Sequence, residues 1–143
     1  MVVNVEKLEY YFNLYNIAYF DSELPIPKFD VLHSYRTCGY FNCSYNQGWF
    51  NRELYDFKIS ITDYYDFTEK QFTDIMVHEM IHYYLAYFGI DKQGRHGKKF
   101  KEMARRLNRT YGLHITPYLD LSKYKRRKGT PRLSYWLVKK IYM

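Results

Sequence analysis

The sequence predicts an α+β fold in one domain, a small β-sheet packed with about three helices. Three observations predict it. The chain has 143 residues, 47% hydrophobic and 26% charged, which suits one hydrophobic core. Helical spacing, or helical start and stop signals, mark residues 5–20, 68–89 and 97–112. Residues 28–35 and 57–62 alternate with the period of a strand, and a third short strand segment lies between them. The domain is taken as residues 1–143, with a core at about 5–116 and a basic, aromatic C-terminal extension at 117–143.

The first helix carries Val5, Leu8, Tyr11, Phe12, Tyr15, Ala18 and Tyr19 at helical spacing. It should stop before Asp21-Ser22-Glu23-Leu24-Pro25-Ile26-Pro27, because two prolines so close together block helix continuation. Phe29, Val31, His33 and Tyr35 then share one side of a strand. A turn near Thr37 to Gly39 leads to a second strand around Tyr40 to Ser44. Phe57, Ile59 and Ile61 mark the third. Thr68-Glu69-Lys70-Gln71 has the form of a capping box and opens a helix that runs to Gly89. Another helix follows from about Gly97 to Tyr111 and ends at Gly112. Ser134 to Tyr142 reads as a last strand.

Aromatic residues make up 21% of the chain, with 18 Tyr and 10 Phe. Tyr pairs an apolar ring with a polar tip, so many of these suit half-buried positions. The net charge of +7 and a pI of about 9.3 favour anionic partners, nucleic acid first. Cys38 and Cys43 form neither a disulfide framework nor a CxxC motif, and are read as free thiols. The N-terminus lacks a secretion signal, and no run of about 18 apolar residues predicts a membrane span. A cytoplasmic protein is expected.

The chemistry is concentrated in His78-Glu79-Met80-Ile81-His82. Two histidines four apart on a helix project from one face, a single turn apart. That spacing lets two imidazole nitrogens reach one zinc ion at about 2.0–2.1 Å. Glu79 lies about 100° around the helix from His78. There its carboxylate can accept a proton from a zinc-activated water without ligating the metal. A catalytic zinc usually has three protein ligands and one open position. The short metzincin spacing is excluded, because Leu85 and Phe88 stand where it needs glycine and histidine. His96 and Glu102 are the candidates for the third ligand. His33, in a strand pattern, and His114, after a helix stop, are read as structural.

Set out in this way, the chain resembles the SprT-like family of zinc metalloproteases. Tyr19 to Pro27 resembles the family's helix-ending Phe…Leu-Pro segment, and Arg36-Thr37-Cys38-Gly39-Tyr40 its early Arg-x-x-Gly turn. His78 to His82 matches the HExxH, and His96-Gly97-Lys98-Lys99-Phe100 the downstream His-Gly-x-x-Phe. Tyr111-Gly112-Leu113-His114-Ile115 resembles the segment that closes the next helix. The pieces fall in family order over residues 5–116. The resemblance implies a zincin-like domain with HExxH on the central helix. It also implies one zinc per chain held by His78, His82 and His96, with Glu79 as general base. Many relatives carry a Cys-rich zinc ribbon after the catalytic core, whereas this chain has no cysteine after position 43.

The function expected is therefore a zinc-dependent metalloprotease that hydrolyses peptide bonds with an activated water. DNA-associated proteins are a candidate substrate class, since some family members act on proteins crosslinked to DNA. DNA, single-stranded in preference, is the expected nucleic-acid partner. Lys125, Arg126, Arg127 and Lys128 are its candidate contacts, with a solvated turn between strands as the alternative for this run. Two other functions compete: a regulatory zinc peptidase with a narrow protein substrate, and a non-catalytic DNA-binding module with a structural zinc.

Overall fold

The computed structural model describes residues 1–47, 52–91, 95–129 and 141–142. It begins with a helix, α1 (Val5–Tyr19), capped by Asn4, whose side chain accepts from the Lys7 N–H at 2.8 Å. Leu8, Phe12 and Tyr15 form its buried stripe. The helix ends where predicted, but before the prolines act. Asp21 and Ser22 both have left-handed φ, +53° and +58°. The buried Asn16 side chain then holds the returning chain. Its Nδ2 donates to the Leu24 carbonyl at 2.8 Å, and its Oδ1 accepts from the Leu24 N–H at 3.2 Å.

Three strands follow: β1 (Lys28–Leu32), β2 (Gly39–Gln47) and β3 (Arg52–Thr62). They form a mixed sheet in the order β1-β3-β2, with β1 parallel and β2 antiparallel to β3. β1 is shorter than the alternation through Tyr35 predicted. From Ser34 the chain turns, and the Ser34 hydroxyl accepts from the N–H groups of Arg36 and Thr37. β2 and β3 are longer than predicted, because their outer halves form an exposed antiparallel ladder. Tyr45, Glu53 and Tyr55 there are exposed, so no core-facing alternation marks these residues in the sequence.

The capping box is present. Gln71 N–H donates to Thr68 Oγ1 at 3.1 Å and Thr68 N–H to Gln71 Oε1 at 3.0 Å. It opens α2 (Glu69–Tyr87), and Gly89 after it has a left-handed φ of +67°. α2 packs against β2, β3 and the third helix, α3 (Lys98–Tyr111). Every residue from Asp74 to Tyr83 is buried, so α2 is the central helix and has no solvent face over that stretch. α3 ends at Gly112, again with left-handed φ. The architecture among the described residues is thus α+β, three helices with a small mixed sheet.

Residues after the core fold back onto it. Tyr118–Leu119 (β4) pairs antiparallel with Ile141–Tyr142 (β5). The rest of the strand expected over Ser134–Tyr142 lies outside the described residues. The Tyr124 ring stands edge-on to both Tyr65 and Phe67, with centroids 5.8 Å away in each case. Asp66 N–H donates to the Lys125 carbonyl and Arg127 N–H to the Tyr64 carbonyl. No helix among the described residues is long and apolar enough to cross a membrane.

The Asn16 bridge gives a test of the α1 exit. Asn16→Ala leaves the Leu24 N–H and carbonyl buried without partners, at a cost of about 2–4 kcal/mol. Urea unfolding should show that loss with an unchanged slope. A loss below about 1 kcal/mol would mean that the bridge does not hold the turn.

Candidate metal centre

The i, i+4 spacing on α2 brings His78 and His82 together with their Nε2 atoms 3.1 Å apart. Both rings are buried, His78 at 0% and His82 at 7% exposure. The third imidazole arrives from the start of α3, where His96 Nε2 lies 3.1 Å from His78 Nε2. One nitrogen from each ring therefore converges in a group whose atoms all lie within 4.8 Å of one another. A tetrahedral ion with metal–nitrogen bonds of about 2.0–2.1 Å needs ligand atoms roughly 3.3 Å apart. The three histidines fit that demand.

The tautomer fits as well. His78 Nδ1 lies 3.0 Å from the Thr116 carbonyl, which can only accept, so Nδ1 carries the proton and Nε2 presents a lone pair to the cluster. Burial, and then the charge of His96, push His82 down to about 4 against the opposing pull of Asp91, which favours the neutral ring that binds metals. Phe100 underlies the group. Its ring centroid is 4.6 Å from that of His78, 4.7 Å from His82 and 4.9 Å from His96. One fully buried apolar side chain thus seats all three imidazoles.

Glu79 is 1% exposed, and its Oε2 has no hydrogen-bond partner among the described residues. Burial pushes its carboxyl up to about 8. Gly39, the first residue of β2, closes over it. A Cβ at Gly39 would stand 2.7 Å from Glu79 Oε2 and 3.0 Å from its Cγ, closer than packed atoms tolerate. The missing side chain at Gly39 is what leaves room for the carboxylate.

Glu102 is not drawn into this group. It is exposed on α3, 3.9 Å from both Lys98 and Lys99. His33 Nδ1 lies 2.9 Å from the Asp63 carboxylate, and the His114 N–H donates to Asp74 Oδ1. Cys38 and Cys43 are free thiols, and burial raises the Cys38 pKa. Of the basic run in the tail, Lys125 and Lys128 are exposed, while Arg126 is half-buried and its backbone bridges Tyr65. Arg127 Nη1 donates to Asp63 Oδ2 at 3.0 Å, so its charge is held by the fold.

Three contributors were missed as parts of the site: Thr116, Phe100 and Gly39. Thr116 acts through its backbone and leaves no mark in the sequence. Phe100 and Gly39 stand in motifs that resemblance had flagged, but their spacing alone does not tell what they touch. The cluster predicts one transition-metal ion per chain. His96→Ala should weaken Zn²⁺ affinity by at least 10-fold in chelator competition, as loss of a ligand costs no less than loss of an outer partner. Unchanged affinity would remove His96 from the ligand set.

One of three comparisons with known proteins finds a match. Neither curated proteins nor solved structures provide a match to the chain. The SprT-like family profile matches residues 8–119, a span that contains α1, the sheet, His78, Glu79, His82, His96, Phe100 and Thr116. With that span covering most of its length, the chain belongs to the SprT-like family.

Proposed function

We propose that this chain is a zinc-dependent peptidase in which His78, His82 and His96 hold the metal and Glu79 is the general base. The observation that carries this reading is the buried Glu79, with one oxygen unpartnered, next to His78 in a cluster of three imidazoles. Zinc, when bound, supplies Lewis acidity that polarises a carbonyl and makes water a nucleophile near neutral pH.

The protein's own part is to place and time the proton. Glu79 accepts a proton from the attacking water as its oxygen bonds to the carbonyl carbon. It returns that proton to the amide nitrogen as the C–N bond breaks. Its raised pKa supports this double role, because a base near the working pH both takes up and releases a proton readily. Gly39 keeps the carboxylate seated, and Phe100 excludes water from beneath the three rings. A structural zinc site is ordinarily closed by four protein ligands and has no use for a buried base. Membership of a metalloprotease family adds support, and proteins are the proposed substrates.

Glu79→Gln should retain about one zinc per chain and lose about 10²–10⁴-fold in kcat on a protein substrate. A wild-type chain that binds no zinc, or a Glu79→Gln variant with full activity, would defeat the proposal. Gly39→Ala should leave zinc content intact and lower kcat, because the added Cβ must displace the Glu79 carboxylate. Wild-type kcat in that variant would show that the carboxylate position is not critical.

A further inference from the structure

The three imidazoles are not equally sheltered. His78 and His82 are buried on α2, and the fully buried Phe100 packs against all three rings. His96 is the one member of the group that is only half-buried. An open coordination position serves a substrate only where solvent reaches it, so the approach to the site runs past His96. Tyr118 stands there. Its ring meets that of His96 edge-on, at 61° and with centroids 6.3 Å apart. Among the described residues, Phe100 and Tyr118 are the aromatic side chains beside the histidines, and of these only Tyr118 carries a donor.

The backbone around Tyr118 is anchored. The Thr116 carbonyl lies 3.0 Å from His78 Nδ1, and Thr116 Oγ1 donates to the Tyr118 carbonyl at 2.5 Å. Tyr118 and Leu119 pair with Tyr142 and Ile141 across the β4–β5 ladder. Leu119 and Leu121 are buried, yet Tyr118 is 46% exposed. A large ring held beside a half-buried imidazole by a fixed backbone, and left partly in solvent, adds little to the core. It is placed to touch a bound molecule.

The peptidase reading has a base in Glu79 but no donor for the oxygen on which charge develops. We propose that Tyr118 is that donor, a catalytic residue whose phenol stabilises the oxyanion formed during peptide hydrolysis. This rests on the peptidase reading and deepens it. As the water oxygen bonds to the carbonyl carbon, the carbonyl π electrons move onto the carbonyl oxygen. The Tyr118 O–H donates a hydrogen bond to that oxygen and keeps its own proton. The bond weakens again as the carbonyl re-forms and the C–N bond breaks. Such a donor must come within about 2.7–3.1 Å of the oxyanion, an approach that a partly exposed side chain completes once substrate is bound.

The experiment compares the zinc-loaded wild type with Tyr118→Phe, which keeps the ring against His96 and removes only the hydroxyl. Chelator competition should give both the same Zn²⁺ affinity. On dye-labelled casein, kcat should fall about 10²–10³-fold with KM unchanged, the loss expected for one oxyanion donor. A phosphinic peptide that copies the bond cut in casein presents a stable tetrahedral anion. Calorimetry should show it bound about 10²–10³-fold more weakly by Tyr118→Phe. Arg95 is the rival donor, exposed and adjacent to His96, and Arg95→Gln should retain wild-type kcat. Wild-type kcat or wild-type phosphinate affinity in Tyr118→Phe would overturn the proposal, as would a raised KM with kcat unchanged. So would a loss seen in Tyr118→Ala but not in Tyr118→Phe, which would make Tyr118 a positioning residue for His96, or a loss carried by Arg95→Gln instead. None of these results touches the peptidase reading, which falls only with zinc binding or with full activity in Glu79→Gln.

Discussion

Two imidazoles and a carboxylate lie on a helix that has no solvent face around them, and much of the fold is arranged to make that tolerable. Buried polar groups are stable only with partners, and a buried carboxylate is among the costliest to leave alone. For His78 the partner is the Thr116 carbonyl, brought back by the segment after α3. His78 Nε2 also lies 3.1 Å from His82 Nε2 and 3.1 Å from the Nε2 of His96, two residues before α3. Glu79 Oε2 has no hydrogen-bond partner among the described residues, and burial pushes its carboxyl upward. A central helix that carries one uncompensated acid among three metal-competent rings conflicts with simple stability. Functional sites are where such conflicts concentrate.

α3 resolves several demands at once. Its inner face contributes Phe100, which touches all three histidine rings and limits their freedom to rotate. The third imidazole, His96, lies two residues before its first residue, Lys98. Its outer face is nearly pure cation. Because a helix places successive residues at fixed angles, the same fourteen residues serve the buried site and a charged surface without interference. Glu102 is the clearest consequence. It sits on the outer arc with the lysines, so the carboxylate that competed for the role of third ligand faces the wrong way to reach α2.

Much of the architecture was legible in local pattern. The capping box at Thr68, the stripe Leu8-Phe12-Tyr15 and the glycine stops after α2 and α3 each act within a turn or two of chain, so spacing reveals them. The strands were legible only where one face is buried. The outer halves of β2 and β3 pair through backbone hydrogen bonds, which carry no sequence signature, and β1 is cut short by a serine-centred turn. The role of the tail was similarly opaque. Four basic residues in a row look equivalent in sequence, yet Asp63 binds Arg127 from 64 positions away.

The sequence by itself determined that His78 and His82 share a helix face, that Glu79 lies beside them, and that the chain carries a positive surplus. Those facts depend on spacing within one turn and on composition. Spacing left His96 and Glu102 both open as third ligand and resemblance favoured His96; the tertiary structure brings His96 to the pair, and it alone decided that Gly39 makes space for Glu79 and that Thr116 sets the tautomer of His78. It also decided which cations the fold consumes and which it leaves exposed along α3. Each of these depends on contacts between segments distant in the chain, and the geometry of such contacts exists only once the core has closed.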